Sequence, residues 1–333
     1  MKAAFQKGTA VAVREATLPA IKPDEIRIDL EACGVCGTDL HVPPQWQDAE
    51  RGFGHEMAGT ILEVGSAVTR VSAGQKVAIE SSSSCGKCEN CRNALQKLCL
   101  DKQTIFNSDY YGFAEQAVAP AICAVPYEGM SPEVASLSEP LGVSIDIFRV
   151  ADIPFNSNVL VMGQGPIGLM ALALVKKAGA RRVFASEMKW RTARVELSKQ
   201  FGADEVIDPT ETPIEEFDFG CKIDRILVTS PPITLQGAMD VAANGAIIAF
   251  IGIAYGDGAF CRFDANKFHF KKLQLRASFA SPALRTALAL KYLREGVIDG
   301  EAVVTHRYPL ENIVEAMDVA GKDPSAVKVV IQL

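Results

Sequence analysis

The chain has 333 residues, of which 48% are hydrophobic and 22% are charged, and its formal net charge is −6. This length favours two domains over one, and the composition is that of an ordinary globular protein. No run of 18 apolar residues occurs, so we expect no membrane-spanning segment. An acidic chain without a basic run is a poor candidate for nucleic-acid binding.

Nine cysteines occur in the chain, and its N-terminus lacks the apolar stretch that is typical of a secretion signal. We therefore expect a cytoplasmic protein in a reducing compartment. In such a compartment, clustered cysteines more often bind a metal or react than form disulfides. Cys123, Cys221 and Cys261 stand apart from the others and are interpreted as small buried hydrophobic residues.

The first part of the chain is predicted to form short strands separated by turns. Residues 26–30 alternate between apolar and polar side chains, as in a half-buried strand, and residues 60–64 and 76–79 are similar. Gly65 and Gly74 interrupt these runs and mark turns. The pattern indicates a β-rich part of the fold.

Strands and helices alternate in the middle of the chain. Short apolar runs occur at 159–162, 183–185, 206–207, 226–228 and 246–251, with helical segments at 166–178, 191–201 and 235–243. Gly179 and Gly202 end the first two of these helices. The alternation predicts a parallel sheet with helices on both faces. The tail is predicted to form helices near 284–294 and 310–320 and a strand at 327–333.

Four cysteines, namely Cys85, Cys88, Cys91 and Cys99, fall within fifteen residues and form what we call the four-cysteine group. Four thiolates at this spacing can surround one tetrahedral Zn²⁺, and Gly86 relieves the tight backbone between them. Such a site has no open coordination position, so its natural role is structural. A Cys₄ iron–sulfur cluster and a coincidental set of free thiols are the alternatives.

A second set of possible ligands has mixed chemistry. Cys33, Cys36 and His41 lie close together in the chain, and His55 and Glu56 follow after a short loop. Cysteine, histidine and nearby carboxylates suit zinc, and fewer thiolates leave the room for substrate that a catalytic zinc requires. Taken singly, these residues are compatible with different roles, because Cys33 and Cys36 could be a redox pair and His41 could be a solvated histidine.

A glycine-rich loop lies between a predicted strand and a predicted helix. Gly163, Gly165 and Gly168 form the pattern G-x-G-x-x-G, with Pro166 and Ile167 at the helix start. In this context the pattern predicts a dinucleotide-binding loop. The glycines allow a tight turn, a close approach of the pyrophosphate and close helix packing, and the helix N-terminus provides partial positive charge.

Glu187 ends the next predicted strand, nineteen residues after Gly168. An acid at this place is expected to bind the adenosine ribose hydroxyls and to favour NAD over NADP, since a carboxylate repels a 2′-phosphate. Two alternatives stay open. Glu187 could be a solvated residue at a strand end, and Lys189, Arg191 and Arg194 could hold a 2′-phosphate.

Together these motifs resemble the zinc-containing medium-chain dehydrogenase/reductase family (alcohol dehydrogenase superfamily), and they cover nearly the whole chain. The matching segments are, in order, 34–39, 54–59, the four-cysteine group, 112–115, Glu139-Pro140-Leu141, the glycine-rich loop and 305–310. The Glu-Pro-Leu segment is similar to the polyol or sorbitol dehydrogenase-like branch, whereas the ethanol branch has a cysteine there.

The resemblance implies an α/β fold with two domains. Residues 1–143 and 278–333 would form a GroES-like, β-rich catalytic domain that carries the structural zinc lobe at about 85–99. Residues 144–277 would form a Rossmann domain, with a doubly wound parallel sheet, that binds NAD. The resemblance also implies two zinc ions per chain and a homodimer or homotetramer.

The same resemblance implies how the site would be built. Cys36 and His55 would be ligands of the catalytic zinc, and Glu56 and Glu139 would be the carboxylates beside them, either of which could bind the zinc directly. Cys33 falls where a residue that does not bind metal usually sits. Zinc would act as a Lewis acid on the substrate oxygen, and NAD would accept the hydride.

The expected reaction is hydride transfer between NAD and a secondary alcohol, such as a polyol, a sugar or a diol, giving the ketone. Thr38 would relay the proton of the alcohol, and His41 would pass it toward solvent. Many sorbitol-type enzymes carry an Arg-Tyr pair where Ala280 and Ser281 follow Phe279 here, which argues against sorbitol itself. The alternatives are a threonine or amino-alcohol dehydrogenase of the same fold and a non-catalytic protein that binds zinc and NAD.

Overall fold

A computed structural model of the chain describes residues 1–107 and 112–333. These residues form two compact units. Met1–Gly142 and Ala280–Leu333 make up the first unit, and Val143–Phe279 make up the second. The first unit is rich in strands, whereas strands and helices alternate in the second.

Strands and helices are numbered in chain order. The strands are β1 (Lys2–Lys7), β2 (Ala10–Glu15), β3 (Glu25–Gly34), β4 (Arg51–Gly52), β5 (Glu56–Val64), β6 (Lys76–Ile79), β7 (Ser82–Ser83), β8 (Gln103–Thr104), β9 (Gln116–Pro120), β10 (Ala124–Pro126), β11 (Asn158–Met162), β12 (Arg182–Ser186), β13 (Glu205–Ile207), β14 (Ile223–Val228), β15 (Ala242–Phe250), β16 (Gln274–Ala277), β17 (Val304–Pro309) and β18 (Lys328–Gln332). The α-helices are α1 (Gly37–Leu40), α2 (Glu89–Arg92), α3 (Pro132–Ser136), α4 (Ser138–Ala151), α5 (Pro166–Lys177), α6 (Thr192–Gln200), α7 (Leu235–Val241), α8 (Ala265–Phe270), α9 (Thr286–Arg294), α10 (Gly300–Val303) and α11 (Ile313–Lys322).

The main sheet of the first unit joins the two parts of the chain that form this unit. Its strand order is β10-β6-β5-β3-β18-β17, and β9 also pairs with β3. These pairs are antiparallel except for β17 and β18, which are parallel. Smaller sheets are formed by β2-β1-β4 and by β7-β8. Because β18 lies beside β3, residues near the end of the chain contact residues near its beginning.

The core of the first unit follows from the alternation along β3. Ile26, Ile28 and Leu30 are buried and at most 2% exposed, whereas Asp29 between them is exposed, which confirms the predicted half-buried strand. Burial of each such side chain contributes about 1.5–3 kcal/mol. The apolar face of this sheet therefore supplies most of the force that holds β3 in its register.

The second unit has a six-stranded parallel sheet of order β13-β12-β11-β14-β15-β16. Every residue of β11 is buried. One apolar cluster forms around Leu160 and Phe184, and a second forms around Val159 and Val161, whose side chains point to the opposite face of the sheet. This is the predicted doubly wound arrangement, with strand order reversing at β11.

The predicted elements agree with the structure except in a few places. The helix predicted at 310–320 begins with a 3₁₀ turn and becomes α-helical only at Ile313. The sequence pattern does not anticipate several other elements, among them β1, β2, α3, α4 and β16. The helix predicted at 235–243 ends at Val241, and its last two residues belong to β15. Strand β16 is an edge strand without clear alternation. None of the helices in the described ranges combines the length and apolarity needed to cross a bilayer.

Glu80 is a buried carboxylate that follows β6, and only 8% of it is exposed. Burial raises the pKa of Glu80 from 4.5 to about 7, although hydrogen bonds from Ser83 and Thr286 and the charge of Arg70 oppose this shift. Between pH 4.5 and pH 7 the folded state therefore binds more protons than the unfolded state. Its stability falls as the pH rises through this interval.

Replacing Glu80 with glutamine should remove this pH-dependent loss of stability. Above pH 7 the free energy of unfolding of E80Q should exceed that of the parent by up to about 3 kcal/mol, and the difference should narrow toward pH 4.5. Urea unfolding at pH 5 and pH 8 measures this. Glu196→Gln, which changes an exposed residue, is the control. An E80Q protein that is less stable than the parent at pH 8 would contradict the prediction.

Candidate functional site

The main sheet of the first unit brings the end of β3 beside the beginning of β5. Gly34 pairs with Glu56 in this antiparallel register. Cys36 lies two residues beyond Gly34, and His55 lies one residue before Glu56. Because the two strands are antiparallel, both residues lie at the same end of the sheet. Ligand atoms of Cys36, His55 and Glu56 all lie within 4.8 Å of one another. We call these three residues the mixed-ligand group.

Glu139, near the start of α4, lies outside this set of mutually close ligand atoms. Its Oε1 accepts a hydrogen bond from Ser81 Oγ at 3.5 Å. Burial raises the pKa of Glu139 and the charge of Glu56 raises it further, whereas His55 and Lys328 oppose the shift. Glu139 is therefore within electrostatic reach of the mixed-ligand group.

Helix α1 begins directly after Cys36 and carries a residue to which sequence reasoning gave no role. The carboxylate of Asp39 accepts a hydrogen bond from the backbone N–H of Cys36 at 2.9 Å, and its Oδ1 lies 3.9 Å from His55 Nδ1. Asp39 is only 4% exposed, so its buried carboxylate binds the backbone of Cys36 and faces the imidazole of His55. Thr38 and His41 are exposed in the same short segment.

A buried lysine from the other end of the chain also reaches this site. Lys328 donates to the two carboxylate oxygens of Glu56 at 2.7 and 2.5 Å and to Val35 O at 2.9 Å. Burial alone would lower the pKa of Lys328, but Glu56 and then Cys36 outweigh it and raise the pKa above its usual range. Sequence reasoning missed Lys328, because 272 positions separate it from Glu56 and a lysine at a strand start has no distinguishing signal.

The electrostatics of the mixed-ligand group favour a cation. Burial lowers the pKa of His55, yet Cys36, Asp39 and Glu139 together raise it well above its usual value. The same negative surroundings that favour a protonated imidazole would favour a divalent metal ion, which is itself a strong local charge. A thiolate, an imidazole and a carboxylate fit zinc in particular.

The four-cysteine group has the geometry of a closed zinc site. Its sulfur atoms all lie within 4.8 Å of one another. Cys99 Sγ is 3.6 Å from Cys85 Sγ and 3.9 Å from Cys88 Sγ. Zinc–sulfur bonds of about 2.3 Å in a tetrahedron require sulfur separations of about 3.8 Å. Backbone N–H groups of Leu100 and Cys91 lower the pKa of Cys88 to about 6, which favours the thiolate that metal binding needs.

The glycine-rich loop leads directly from β11 to α5. Gly163 has φ +89°, and a Cβ added at Gly168 would lie 1.9 Å from Gly163 O, so only glycine fits there. A Cβ at Gly165 would have no described heavy atom within 4 Å. Gly165 is the N-cap of α5, and Pro166 and Ile167 begin the helix. The open face at Gly165 is where a phosphate can approach the helix N-terminus.

Glu187 is attached to this loop through its carboxylate. Oε2 accepts from the backbone N–H of Gln164 and Oε1 accepts from the backbone N–H of Met188, both at 2.9 Å. Arg194 Nη1 lies 4.0 Å from Oε2. Glu187 is 7% exposed, so its negative charge has a fixed position beside the glycine-rich loop. Sequence reasoning placed it near the loop but did not foresee the hydrogen bond to Gln164.

Two alanine substitutions should separate binding from folding in the glycine-rich loop. Gly165→Ala should leave the fold intact but weaken dinucleotide binding roughly tenfold or more, because the methyl group stands where the pyrophosphate approaches. Gly168→Ala should destabilise the protein by about 1–3 kcal/mol, since the backbone of Gly163 must move. Thermal unfolding and fluorescence titration with NADH measure the two effects. Unchanged NADH binding by G165A would place the pyrophosphate elsewhere.

Comparison with known proteins matches two families along the chain. Residues 22–129 match the alcohol dehydrogenase GroES-like domain, and residues 166–292 match the zinc-binding dehydrogenase family. The chain is 30% identical to L-threonine 3-dehydrogenase of Saccharopolyspora erythraea, with 96% of each chain covered. It is 29% identical to L-idonate 5-dehydrogenase of Vitis vinifera, covering 95% of this chain and 90% of that protein.

A similar solved structure is that of a protein described as a short chain alcohol dehydrogenase from E. coli CFT073, complexed with the cofactor NADH. It is 26% identical, with a TM-score of 0.89, and the match covers 100% of this chain and 99% of that one. Both candidate metal groups fall within the matched range 22–129. The chain therefore belongs to the zinc-binding dehydrogenase family, and it is a zinc-dependent oxidoreductase of the alcohol and polyol dehydrogenase type that uses a nicotinamide cofactor.

Proposed function

We propose that the protein transfers a hydride between NAD and a secondary alcohol, such as a polyol, a sugar or a diol, and gives the ketone. The observation that carries this proposal is the mixed-ligand group with the second carboxylate of Glu139 in its electrostatic reach. One thiolate, one imidazole and one carboxylate suit Zn²⁺ and leave a position for substrate. The acidic surroundings suit a substrate that offers hydroxyl groups.

Cys36, His55 and Glu56 are the proposed ligands of the catalytic zinc. Glu139 lies outside this set of close ligand atoms, which favours Glu56 as the carboxylate that binds the metal directly. Glu139 is then available to accept a hydrogen bond from a water molecule or a substrate hydroxyl. A zinc ion held here supplies Lewis acidity to the substrate oxygen, and the nicotinamide accepts the hydride.

Thr38 and His41 are the proposed carriers of the proton that leaves the alcohol. Thr38 lies two residues beyond Cys36 in α1, and His41 directly follows that helix. A hydroxyl can accept one hydrogen bond while donating another, and an imidazole can exchange a proton at either ring nitrogen. Both side chains are exposed, so a proton that reaches either of them can pass to solvent.

The four-cysteine group is the proposed site of a second, structural zinc ion, so the chain would bind two. Metal analysis of the gently purified protein should find both. Cys88→Ser should lose one zinc and lower the midpoint of thermal unfolding by roughly 5–10 °C, because a closed site contributes directly to folding. Cys221→Ser, outside both groups, is the matched control. One zinc or none in the parent protein would refute the assignment.

Glu187 supports NAD as the cofactor rather than NADP. Its carboxylate has a fixed position beside the glycine-rich loop, so a 2′-phosphate on the ribose would meet an immobile negative charge. Of the basic residues nearby, Arg191 lies over the ring of Trp190 at 3.9 Å, and Arg194 lies beside Glu187 itself.

Glu187→Gln tests this choice, since it removes the charge and keeps a hydrogen-bond acceptor for the loop. The ratio of kcat/KM with NAD to kcat/KM with NADP should fall roughly tenfold or more, which corresponds to about 1.4 kcal/mol. Steady-state rates with both cofactors provide the measurement, and the exposed Glu196→Gln is the control. A parent enzyme that already prefers NADP would show that the ribose assignment is wrong.

The protein is further proposed to be a homodimer or homotetramer in the cytoplasm. The β16 strand is at the edge of the parallel sheet, and Phe260 and Phe270 of the same unit are more than 70% exposed. Large apolar side chains left in water are typical of an interface, and a second copy of the chain would cover them. All nine cysteines are unpaired, which suits a reducing compartment.

Oxidation of L-threonine or a related amino alcohol is the second candidate function, because a relative that is 30% identical is an L-threonine 3-dehydrogenase. Both candidates need a secondary hydroxyl at the metal. The two kinds of substrate differ in the groups near this hydroxyl, since threonine has an ammonium and a carboxylate close to the reacting carbon. Glu139, which lies outside the ion pair of Glu56 with Lys328, would repel a carboxylate held close to the metal, which favours neutral polyols and diols.

A panel of substrates distinguishes these functions. Neutral vicinal diols and polyols should give higher kcat/KM than L-threonine, 2-hydroxy acids or primary alcohols, when NADH formation is followed by absorbance. L-Idonate belongs in the panel, because a relative that is 29% identical is an L-idonate 5-dehydrogenase. It counts as a polyol here, because its carboxylate lies far along the chain from the hydroxyl at C5, whereas the 2-hydroxy acids of the panel are short compounds such as lactate. Higher kcat/KM with a primary alcohol or a 2-hydroxy acid than with every diol and polyol would contradict the polyol proposal.

Thr38→Ala should lower kcat much more than it weakens cofactor binding, since the hydroxyl acts when the proton leaves.

A further inference from the structure

We infer that Lys328 is a positioning residue that holds the mixed-ligand group in its metal-binding arrangement by orienting the carboxylate of Glu56. The inference rests on the proposed metal-binding role of that group, and it adds a residue to which neither the sequence motifs nor the proposed reaction gave a part. It predicts that Lys328 controls metal affinity without contacting metal or substrate.

The hydrogen bonds and the burial of Lys328 direct its ammonium group toward Glu56 and Val35. A lysine ammonium has three N–H donors and no acceptor. Lys328 finds three acceptor atoms, namely both carboxylate oxygens of Glu56 and the carbonyl oxygen of Val35. The side chains of Lys328 and Glu56 are 2% and 1% exposed, so water does not compete. The ammonium group is thus buried against Glu56 and Val35 and away from solvent, which makes Lys328 a positioning residue and not a catalytic one.

The two acceptor residues belong to the two chain segments that carry the other ligands. Val35 directly precedes Cys36, and Glu56 directly follows His55. Val330 pairs with Gly34, and Val35 N donates to Val329 O at 2.9 Å. The start of β18 therefore runs alongside the segment that leads from β3 to Cys36. One ammonium group therefore joins the segment of Cys36 to that of His55.

Glu56 is held from two sides. On one side is Lys328, and on the other is the backbone of Gly34, where an added Cβ would lie 2.1 Å from Glu56 Oε2. The carboxylate thus packs directly against the peptide chain. Loss of the lysine would leave this buried carboxylate without its cation, and it would turn toward other donors or toward water.

The charge of Lys328 has a second consequence. Cys36, Glu56 and Glu139 place several acidic groups in one buried region, and Lys328 is the cation whose pKa responds to all three. A Zn²⁺ ion with one thiolate and one carboxylate is formally neutral. Lys328 would then offset one of the two further negative charges, those of Asp39 and Glu139, and so reduce the repulsion of negative charge that develops on a substrate oxygen.

Metal affinity is the primary measurement for this inference. Lys328→Met removes the charge and keeps an unbranched side chain of similar length. We expect K328M to retain the zinc of the four-cysteine group and to bind Zn²⁺ at the mixed-ligand group roughly 10–100-fold more weakly, the usual effect of removing a partner of a metal ligand. Competition with a chelator gives the affinity, and the thiolate–Co²⁺ absorption of protein that carries Zn²⁺ in the four-cysteine group and Co²⁺ only at the mixed-ligand group reports the geometry at Cys36. Lys322→Met, which changes an exposed lysine paired with Asp318 on α11, is the matched control.

A double-mutant cycle with Glu56→Gln shows whether Lys328 acts through Glu56. In the E56Q background, K328M should change the metal affinity little further, because the partner of the lysine is already neutral. An equal effect of K328M in both backgrounds would overturn the inference. If the K328M single variant does not fold, the E56Q/K328M protein, in which neither member of the former ion pair is charged, is compared with E56Q alone. A large difference between the two is again the contradicting result.

The same cycle distinguishes failure of this inference from failure of the proposed function. If E56Q weakens Zn²⁺ binding and K328M does not, Glu56 is a ligand and the role of Lys328 is wrong. If E56Q itself leaves the affinity for Zn²⁺ unchanged, the proposed ligand role of Glu56 is wrong, and the inference falls with it. Lys328→Arg, which keeps the charge, should recover part of the affinity and of the cobalt spectrum, whereas a change in packing alone would not be rescued by charge.

Discussion

The antiparallel register of β3 with β5 is the constraint on which the mixed-ligand group depends. Gly34 lies opposite Glu56, and this pairing brings Cys36 and His55 to the same end of the sheet. A shift of one residue would turn every side chain of one strand to the opposite face. Buried Ile26, Ile28 and Leu30 would then meet water, so the hydrophobic core and the ligand geometry are determined by the same pairing.

Buried charge is the second feature that follows from this register. Isolated in the core, either Glu56 or Lys328 would carry a large desolvation penalty, and even as a pair they offer little net stability. Their hydrogen bonds to each other and to Val35 are therefore better explained by the arrangement that they impose on the site than by the stability they add. Asp39 acts similarly on the other side of the mixed-ligand group, where it binds the backbone of Cys36 and faces His55.

How much of this site the sequence reveals depends on the distance between its parts along the chain. The four-cysteine group and the glycine-rich loop each lie within one short segment, so spacing and context are sufficient to predict them. His55 and Glu139 are placed by family resemblance, since their own neighbours give weak signals. Lys328 escapes prediction, because its partner is 272 residues away and only the pairing of β18 with β3 joins them. Helix α4 is not predicted, because burial on several sides leaves it without a clear apolar face. Strand β16 is not predicted, because it lies at the edge of its sheet and lacks clear alternation.

The two candidate metal groups differ in what they demand of the fold. In the four-cysteine group all four metal ligands come from residues 85–99. Backbone N–H groups of the same segment donate hydrogen bonds to the sulfur atoms and favour the thiolates. Binding of a metal there therefore needs little more than local structure. The mixed-ligand group draws on the segments after β3 and before β5, and through Lys328 on β18. Its geometry exists only when the main sheet is complete. Binding of a metal ion in that position is thus coupled to folding of the whole first unit. The acidic side chains that suit the site to a hydroxyl-bearing substrate are tolerated in the core, because a lysine from the far end of the chain balances part of their charge.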